Sequence, residues 1–290
     1  MRICSLLPGA TEAVFLLGAG DALVGVSHAC DFPPLAQTKP VVLRSRLSAF
    51  AAGSSRAIDT AVRETLGAGG SLYALDADAL IAAKPDIVIT QDLCSVCAID
   101  TPSVEAILAR LHPAPRVLSW HAHTLQGVRD DVAQLGRAIG RAQEAQRFCD
   151  DWQRRIEKIQ KRLRARKPVS VACLEWFDPL MSAGHWVPDM VALAGGHEVL
   201  VNPGERSVRI NFELLRERDP DVLILMPCGL SIEQASAELP VLQAQPGWST
   251  LAAARNGRVH LVDGSAYFNR PGPRLIDGIE RLARLLHPLA

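Results

Sequence analysis

The side chains able to do chemistry in this sequence are few and scattered. Cys94-Ser-Val-Cys97 sets two thiols at a spacing where thiolates bind zinc or cycle as a redox pair. No second Cys/His pair follows closely, so a metal site, a redox pair and an incidental structural pair all stay open. His121-Ala-His123 supplies two imidazoles, one expected to face a pocket and the other to be exposed. His28 and His185 read as loop histidines, either hydrogen-bonding groups or ligands. Trp176 and Trp186 fall in a stretch rich in Pro, Gly and His, which suits packing or stacking on a bound molecule. Arg270-Pro-Gly-Pro-Arg274 reads two ways: a holder for an anionic group, or a stiff turn with Arg274 in a salt bridge. The chain carries no phosphate loop, no GxGxxG after a strand, no HExxH and no GxSxG elbow. No residue therefore presents itself as a nucleophile, and an enzyme has little support.

These residues need a scaffold, and the hydrophobic pattern supplies one. Short apolar runs at 2–7, 23–27, 40–43, 86–90 and 115–120 alternate with amphipathic segments at 11–18, 57–66, 76–84 and 102–112. The alternation resumes with strands near 169–174, 197–201, 221–226 and 258–262 and helices near 187–194, 211–218, 231–238 and 272–287. It predicts an α/β fold of two Rossmann-like lobes with mostly parallel sheets. In such sheets ligands sit beyond the carboxyl ends of strands. That rule selects Pro8 and Thr11, His28 and Cys30, Gln91 with Cys94 and Cys97, and His121 with His123 from the first lobe. From the second it selects Glu175, Trp176, His185, Trp186, Cys228, Tyr267, Phe268 and Arg270. Trp120, Trp176 and Trp186 lie at such ends in a chain only 5% aromatic, so a ligand cleft between the lobes is expected. Cys4, Cys149 and Cys173 read as core or helix-packing residues.

Between the lobes, apolar residues from Val128 to Leu163 recur at steps of three and four. Thr124 can cap the start and Pro168 stops the run, so one helix is predicted over 124–167, about 60 Å long. It divides the chain into an N-terminal lobe (1–123), a backbone helix (124–167) and a C-terminal lobe with a final helix (168–290). A rigid brace of that length predicts only a modest tilt of the lobes on binding. Residues 76–90 and 211–225 form an internal repeat, each a helix, a Pro-Asp turn and a buried strand. A second echo links 16–23 with 193–200, where a helix closes on glycines.

The totals narrow the function. Among 290 residues, Lys+Arg and Asp+Glu balance at 31 each, so no global charge attracts nucleic acid. No run of apolar residues is long enough to span a membrane. The first residues read as a strand rather than a secretion signal. As written, the protein is expected in the cytoplasm, or in the periplasm if the start is misassigned or a leader is removed. A monomer is expected.

Ser5-Leu-Leu-Pro-Gly-Ala-Thr-Glu12, Gly25-Val-Ser-His-Ala-Cys-Asp-Phe-Pro-Pro34 and Lys84-Pro-Asp-Ile-Val88 together resemble the periplasmic iron-chelate and vitamin B12 substrate-binding family. The resemblance covers nearly the whole chain. It implies two α/β lobes on a helical backbone, no catalysis and no required cofactor. It also implies capture of a corrinoid such as cobalamin, or of a related chelate such as heme or a ferric siderophore, for an ABC importer. On that reading Trp176, Trp186, Tyr267 and Phe268 stack on the macrocycle. His28, His121, Glu175 and Arg270 bond its side chains, with Pro8, Thr11 and Gln91 beside them, and His185 approaches the metal. Asp78 and Glu213, each seven residues before its repeat's proline, match the acidic residues that dock such receptors on a permease. Two rivals stand beside it: a cytoplasmic metal- or chelate-binding buffer or sensor, and a metal-dependent enzyme using Cys94, Cys97 and a histidine across the cleft.

Overall fold

The computed structural model describes residues 1–47, 53–91 and 101–288. Cys94 and Cys97 lie outside the described residues. The first half alternates β1 (Ile3–Ser5), α1 (Pro8–Leu16), β2 (Leu23–Ser27), β3 (Val41–Ser45), α2 (Ser55–Gly67), β4 (Tyr73–Leu75), α3 (Ala77–Ala83), β5 (Ile87–Gln91), α4 (Thr101–Leu108) and β6 (Arg116–Trp120). Two helices follow, α5 (Leu125–Ala138) and α6 (Ala142–Leu163). The second half runs β7 (Val169–Phe177), β8 (Leu180–Ser182), α7 (Val187–Leu193), β9 (Gly196–Glu198), α8 (Phe212–Arg218), β10 (Val222–Leu225), α9 (Ile232–Gln243), α10 (Ala252–Arg255), β11 (Val259–Leu261), α11 (Gly264–Tyr267) and α12 (Leu275–Leu286).

The first sheet has the order β4-β3-β2-β1-β5-β6 and the second β11-β10-β7-β8, with β9 also on β7. Pairing is parallel except at β4 and β8, short antiparallel strands that the apolar pattern does not announce. Strands buried on both faces read as unbroken apolar runs, which is why their positions are legible. In the first sheet, Ile3, Ile87, Ile89 and Leu118 face α1 and α5, while Cys4, Val42 and Val88 face α3 and α4. In the second, Val171, Cys173, Val222 and Ile224 face α6, α7 and α12. Ala172, Leu174, Leu223 and Leu225 face α8 and α9, and also α2 from the first half of the chain.

That placement of α2 departs from a lobe boundary drawn in sequence order. Ile58 is buried in the second lobe's core with Val62 beside it. Ser55 donates its backbone N–H to Glu238 Oε2 at 2.9 Å, and its hydroxyl bonds the same oxygen. Arg56 pairs with Asp178 at 2.8 Å and Arg209 with Asp59 at 2.6 Å.

The internal repeat is structural as well as textual. Asp76 and Asn211 cap α3 and α8 by accepting from the N–H of Ala79 and Leu214. Lys84 and Asp219 end those helices in the left-handed conformation, at φ 42° and 35°. The aspartate of each Pro-Asp turn then ties the lobe's first strand. Asp86 Oδ2 accepts from Arg2 N at 2.7 Å, and Asp221 Oδ2 accepts from Ser170 N at 3.1 Å.

The join between the lobes is helical, but the stretch 124–167 is not one helix. α5 closes on a Schellman motif: Gly140 has φ 72° and the N–H of Arg141 returns to Gly136 O at 2.6 Å. The chain then doubles back. Arg129 Nη1 bonds Gln153 Oε1 at 3.4 Å although 24 residues separate them, a span of about 36 Å in a continuous helix. The apolar periodicity continues across Gly140, so a straight helix and a hairpin share one pattern. The hairpin braces both lobes. Leu125 and Val128 pack in the C-terminal core, while Val132, Leu135 and Ile139 pack in the N-terminal one. α6 reverses the order, from Ala145 in the N-terminal core to Trp152, Ile156, Ile159 and Leu163 in the C-terminal core. With 22 residues, α6 is about 33 Å long, half the length expected for the whole brace.

Gly136 is where the two helices nearly touch: a Cβ there would lie 2.4 Å from Ala145 Cβ and 2.9 Å from Arg141 O. Gly136→Val is expected to destabilise the fold by about 1–3 kcal/mol through overpacking. Gly140→Ala should cost about 1–2 kcal/mol through the left-handed backbone alone. Urea unfolding checks both; a neutral Gly136→Val would contradict the hairpin.

Candidate functional site

The parallel strands of the first lobe deliver their carboxyl ends to one edge. β1 runs into Pro8 at the start of α1, β2 into His28, β5 ends on Gln91, and β6 runs into His121 and His123. Thr11 is fully buried: its hydroxyl donates to Ser5 Oγ at 2.8 Å and lies 3.1 Å from Cys30 Sγ, so it ties the ends of β1 and β2 together. His28 is exposed, with Nδ1 3.2 Å from Leu43 O. Gln91 is buried.

The second lobe meets this edge backbone to backbone. A Cβ on Gly9 would sit 2.0 Å from Pro271 O, and one on Gly272 would sit 2.9 Å from Gly9 Cα, so both positions need glycine. The closeness brings four charges together. Arg274 donates from Nε and Nη2 to the two carboxylate oxygens of Glu12, at 2.9 and 2.6 Å. Arg270 makes the same fork with Asp31, at 2.6 and 3.1 Å. Its Nη1 also lies 3.9 Å from Glu12 Oε1. Arg274 stacks on Phe32 at 4.2 Å and on Tyr267 at 5.7 Å from the ring centres. The turn 270–274 is thus both a stiff entry to α12 and a double guanidinium fork across the seam. Burial raises the Glu12 carboxyl above its ordinary value, more than Arg274 and Arg270 lower it. Its side chain is only 4% exposed, against 50% for Asp31.

The aromatic candidates have a different placement. Trp186 is buried and its indole N–H donates to Phe268 O at 2.6 Å; Phe268 is fully buried in the same core. The Trp176 indole donates to Ser55 O at 3.2 Å, in the contact that holds α2. These three rings are packed within the protein, whereas Tyr267 is half-buried at the seam against Arg274 and Arg281. Glu175 is half-buried, and its carbonyl accepts from Cys228 N at 3.0 Å. His185 comes from the second lobe to within 3.3 Å, Nδ1 to Nδ1, of His123 from the first. Burial, then the charges of His123 and Arg206, lower the His185 imidazole to about 4. His121 is exposed and His123 half-buried; both stand past the end of β6 at Trp120, so the chain's turn there, and not strand alternation, separates them.

The seam therefore gathers Pro8, His123, His185, Tyr267 and Arg270 with Arg274, whose salt bridge was one of the two readings of the 270–274 turn, and with two residues not singled out beforehand: Glu12 and Asp31. Glu12 and Asp31 stand inside the motifs at the ends of β1 and β2, the signal that marked their neighbours. Asp78 and Glu213 occupy equivalent second positions of α3 and α8. Both are exposed, and Glu213 pairs with Arg216 at 2.8 Å.

Glu12→Gln removes the buried carboxylate that the half-buried Arg274 guanidinium pairs with and is expected to destabilise the protein by about 3 kcal/mol. Asp31→Asn breaks a half-exposed pair and should cost less than about 1 kcal/mol. Paired urea titrations test the contrast, and equal losses would contradict it.

Comparison with known proteins agrees with this architecture. The profile of the periplasmic binding protein family matches residues 3–266. The vitamin B12-binding protein of Vibrio cholerae is 22% identical over 288 residues, covering 98% of this chain and 88% of its own. The cobalamin-binding protein of Halobacterium salinarum is 22% identical over 293 residues, covering 99% of this chain and 69% of its own. Among solved structures, the periplasmic vitamin B12 binding protein of Vibrio cholerae superposes with a TM-score of 0.70 at 21% identity, over 98% of this chain and 96% of that one. A periplasmic heme binding protein from Pseudomonas aeruginosa gives 0.73 at 23% identity, over 100% and 93%. At such identities the structural likeness establishes the fold.

Proposed function

The chain belongs to the periplasmic binding protein family, and from that membership we propose that it captures a corrinoid or related metal chelate between its lobes for an ABC importer. The observation that carries the reading is the convergence of strand-end residues from both lobes on one seam, in a chain matched almost end to end by relatives named for vitamin B12 and cobalamin. The ligand sits against Pro8, His28, Tyr267 and Arg270. Arg270 exchanges Asp31 for polar groups at the rim of the ligand. The buried Glu12–Arg274 pair stays intact and fixes the floor. Trp176, Trp186 and Phe268 act from behind, by holding the loops that carry the contacting groups. Thr11 acts likewise.

Delivery needs a surface that both lobes present together. Asp78 and Glu213 supply it: equivalent helix positions, the same charge and an exposed side chain each, one on each lobe. A receptor of this kind works outside the cytoplasmic membrane. A related Bacillus subtilis protein is named as a substrate-binding lipoprotein of an ABC transporter. Among the described residues no helix is long and apolar enough to cross a membrane.

Purified protein mixed with cyanocobalamin at micromolar concentration and desalted should carry the corrinoid absorption band at one equivalent per chain. Arg270→Ala should weaken that binding about tenfold, the loss of about 1.4 kcal/mol. A protein fraction free of corrinoid overturns the corrinoid assignment. A retained Soret band in a parallel sample with hemin would reassign the cargo to a porphyrin.

A further inference from the structure

Two metal-ligating side chains, His123 and His185, approach each other across the seam. Their Nδ1 atoms are 3.3 Å apart, their ring centres 5.3 Å apart, and their planes inclined by 37°. Two imidazole nitrogens bound to a tetrahedral cation at about 2.0–2.1 Å stand about 3.3 Å from each other. Without an ion, the same distance suits an N–H···N hydrogen bond between the two rings in complementary tautomers, which a bound cation would replace.

The backbone that carries each ring is fixed by its surroundings. His123 lies between the end of β6 and Thr124, whose hydroxyl accepts from Gly127 N at 3.2 Å to start α5. His185 has a left-handed backbone, φ 56°, unusual for a residue with a side chain. Its N–H donates to Glu205 O at 2.5 Å and its carbonyl accepts from Gly204 N at 3.0 Å. Gly184 admits that crossing strand, since a Cβ there would meet Ser207 N at 2.4 Å. Strain held this firmly, and aimed at a second imidazole, is the pattern of a prepared site. Arg206 opposes a cation there, but it is exposed and screened by solvent.

We propose that His123 and His185 form a two-imidazole site for a bare divalent transition ion such as Zn(II), bridging the lobes. Among the described residues no third His, Cys, Asp or Glu completes a cluster, so the remaining positions are open to water or to a small exogenous donor. The arrangement also excludes one class of occupant. Nitrogens this close bind adjacent positions of a metal. A planar macrocycle leaves only opposite positions, whose ligating nitrogens stand about 4 Å apart at the same bond lengths. The pair therefore cannot jointly ligate a corrinoid or heme, and its ion is separate from the cargo proposed above. An ion held from both sides ties the end of β6 to the loop before α7 and favours the closed seam.

The test uses the full chain, stripped with a chelator and titrated with zinc sulfate against a chromophoric competitor. One equivalent is expected to bind. His123→Ala and His185→Asn should each weaken it at least tenfold, Asn being chosen because it tolerates the left-handed backbone. His121→Ala, an exposed neighbour, should leave it unchanged. Zinc should raise the unfolding temperature of the parent chain but not of the two variants. X-ray absorption should show two imidazole nitrogens at about 2.0–2.1 Å. Circular dichroism of the metal-free variants distinguishes lost binding from lost folding. Failure to bind zinc, or unchanged affinity in either folded variant, overturns the site. Because no corrinoid is present, the result is independent of what the cleft carries.

Discussion

A parallel sheet has two apolar faces, and both must be covered. The C-terminal sheet meets this demand with helices from both halves of the chain. One face lies under α6, α7 and α12; the other lies under α8, α9 and α2, which arrives from the N-terminal half. The lobes are consequently stitched together on both sides, by the hairpin of α5 and α6 on one and by α2 on the other. The seam lies between these ties, and its geometry is the remainder after two hydrophobic contacts are satisfied. This explains how glycines at 9 and 272 can hold two backbones nearly in contact without a covalent link.

Inside such a fixed seam, electrostatics acquire a different weight. Glu12 has little water, so its fork with Arg274 compensates a large desolvation cost, and neither partner can be lost alone. Asp31 and Arg270 repeat the same fork nearer solvent, where exchange for another polar partner costs little. The two pairs divide a structural duty from an adaptable one within a few ångströms. Burial, rather than residue type, makes the division.

The parts of the fold legible in the sequence were those set by local chemistry. The repeat at 76–90 and 211–225 could be read because cap, proline and aspartate are adjacent in sequence. The structure gives each the same task, down to the aspartate that ties the first strand. The brace was legible as an apolar stripe but not as a hairpin, because Gly140 interrupts the helix without interrupting the spacing. Strand β8 escaped because three residues paired only at an edge leave no periodic trace. At the candidate site the strand-end rule found His28, His123, His185 and Arg270, yet it could not pair them. Arg274 and Glu12 lie 262 residues apart, and nothing local in either says which charge it will meet. The same limit applies to Trp176 and Trp186. An indole beside a strand end looks alike whether its N–H finds a ligand or a backbone carbonyl.

The position of α2 also bears on how the chain is made. Its anchors Trp176, Asp178, Arg209 and Glu238 lie 121 to 183 residues downstream of the groups they bind. A growing polypeptide therefore releases α2, with Ile58 and Val62 uncovered, long before the sheet that receives it exists. Synthesis from the N-terminus can complete the first sheet early, but α2 must wait beside it for most of translation. Contacts this distant in sequence make assembly slow and leave the apolar face of α2 exposed meanwhile. The seating of α2 is thus one of the last events of folding, tied to the arrival of residues as late as Glu238.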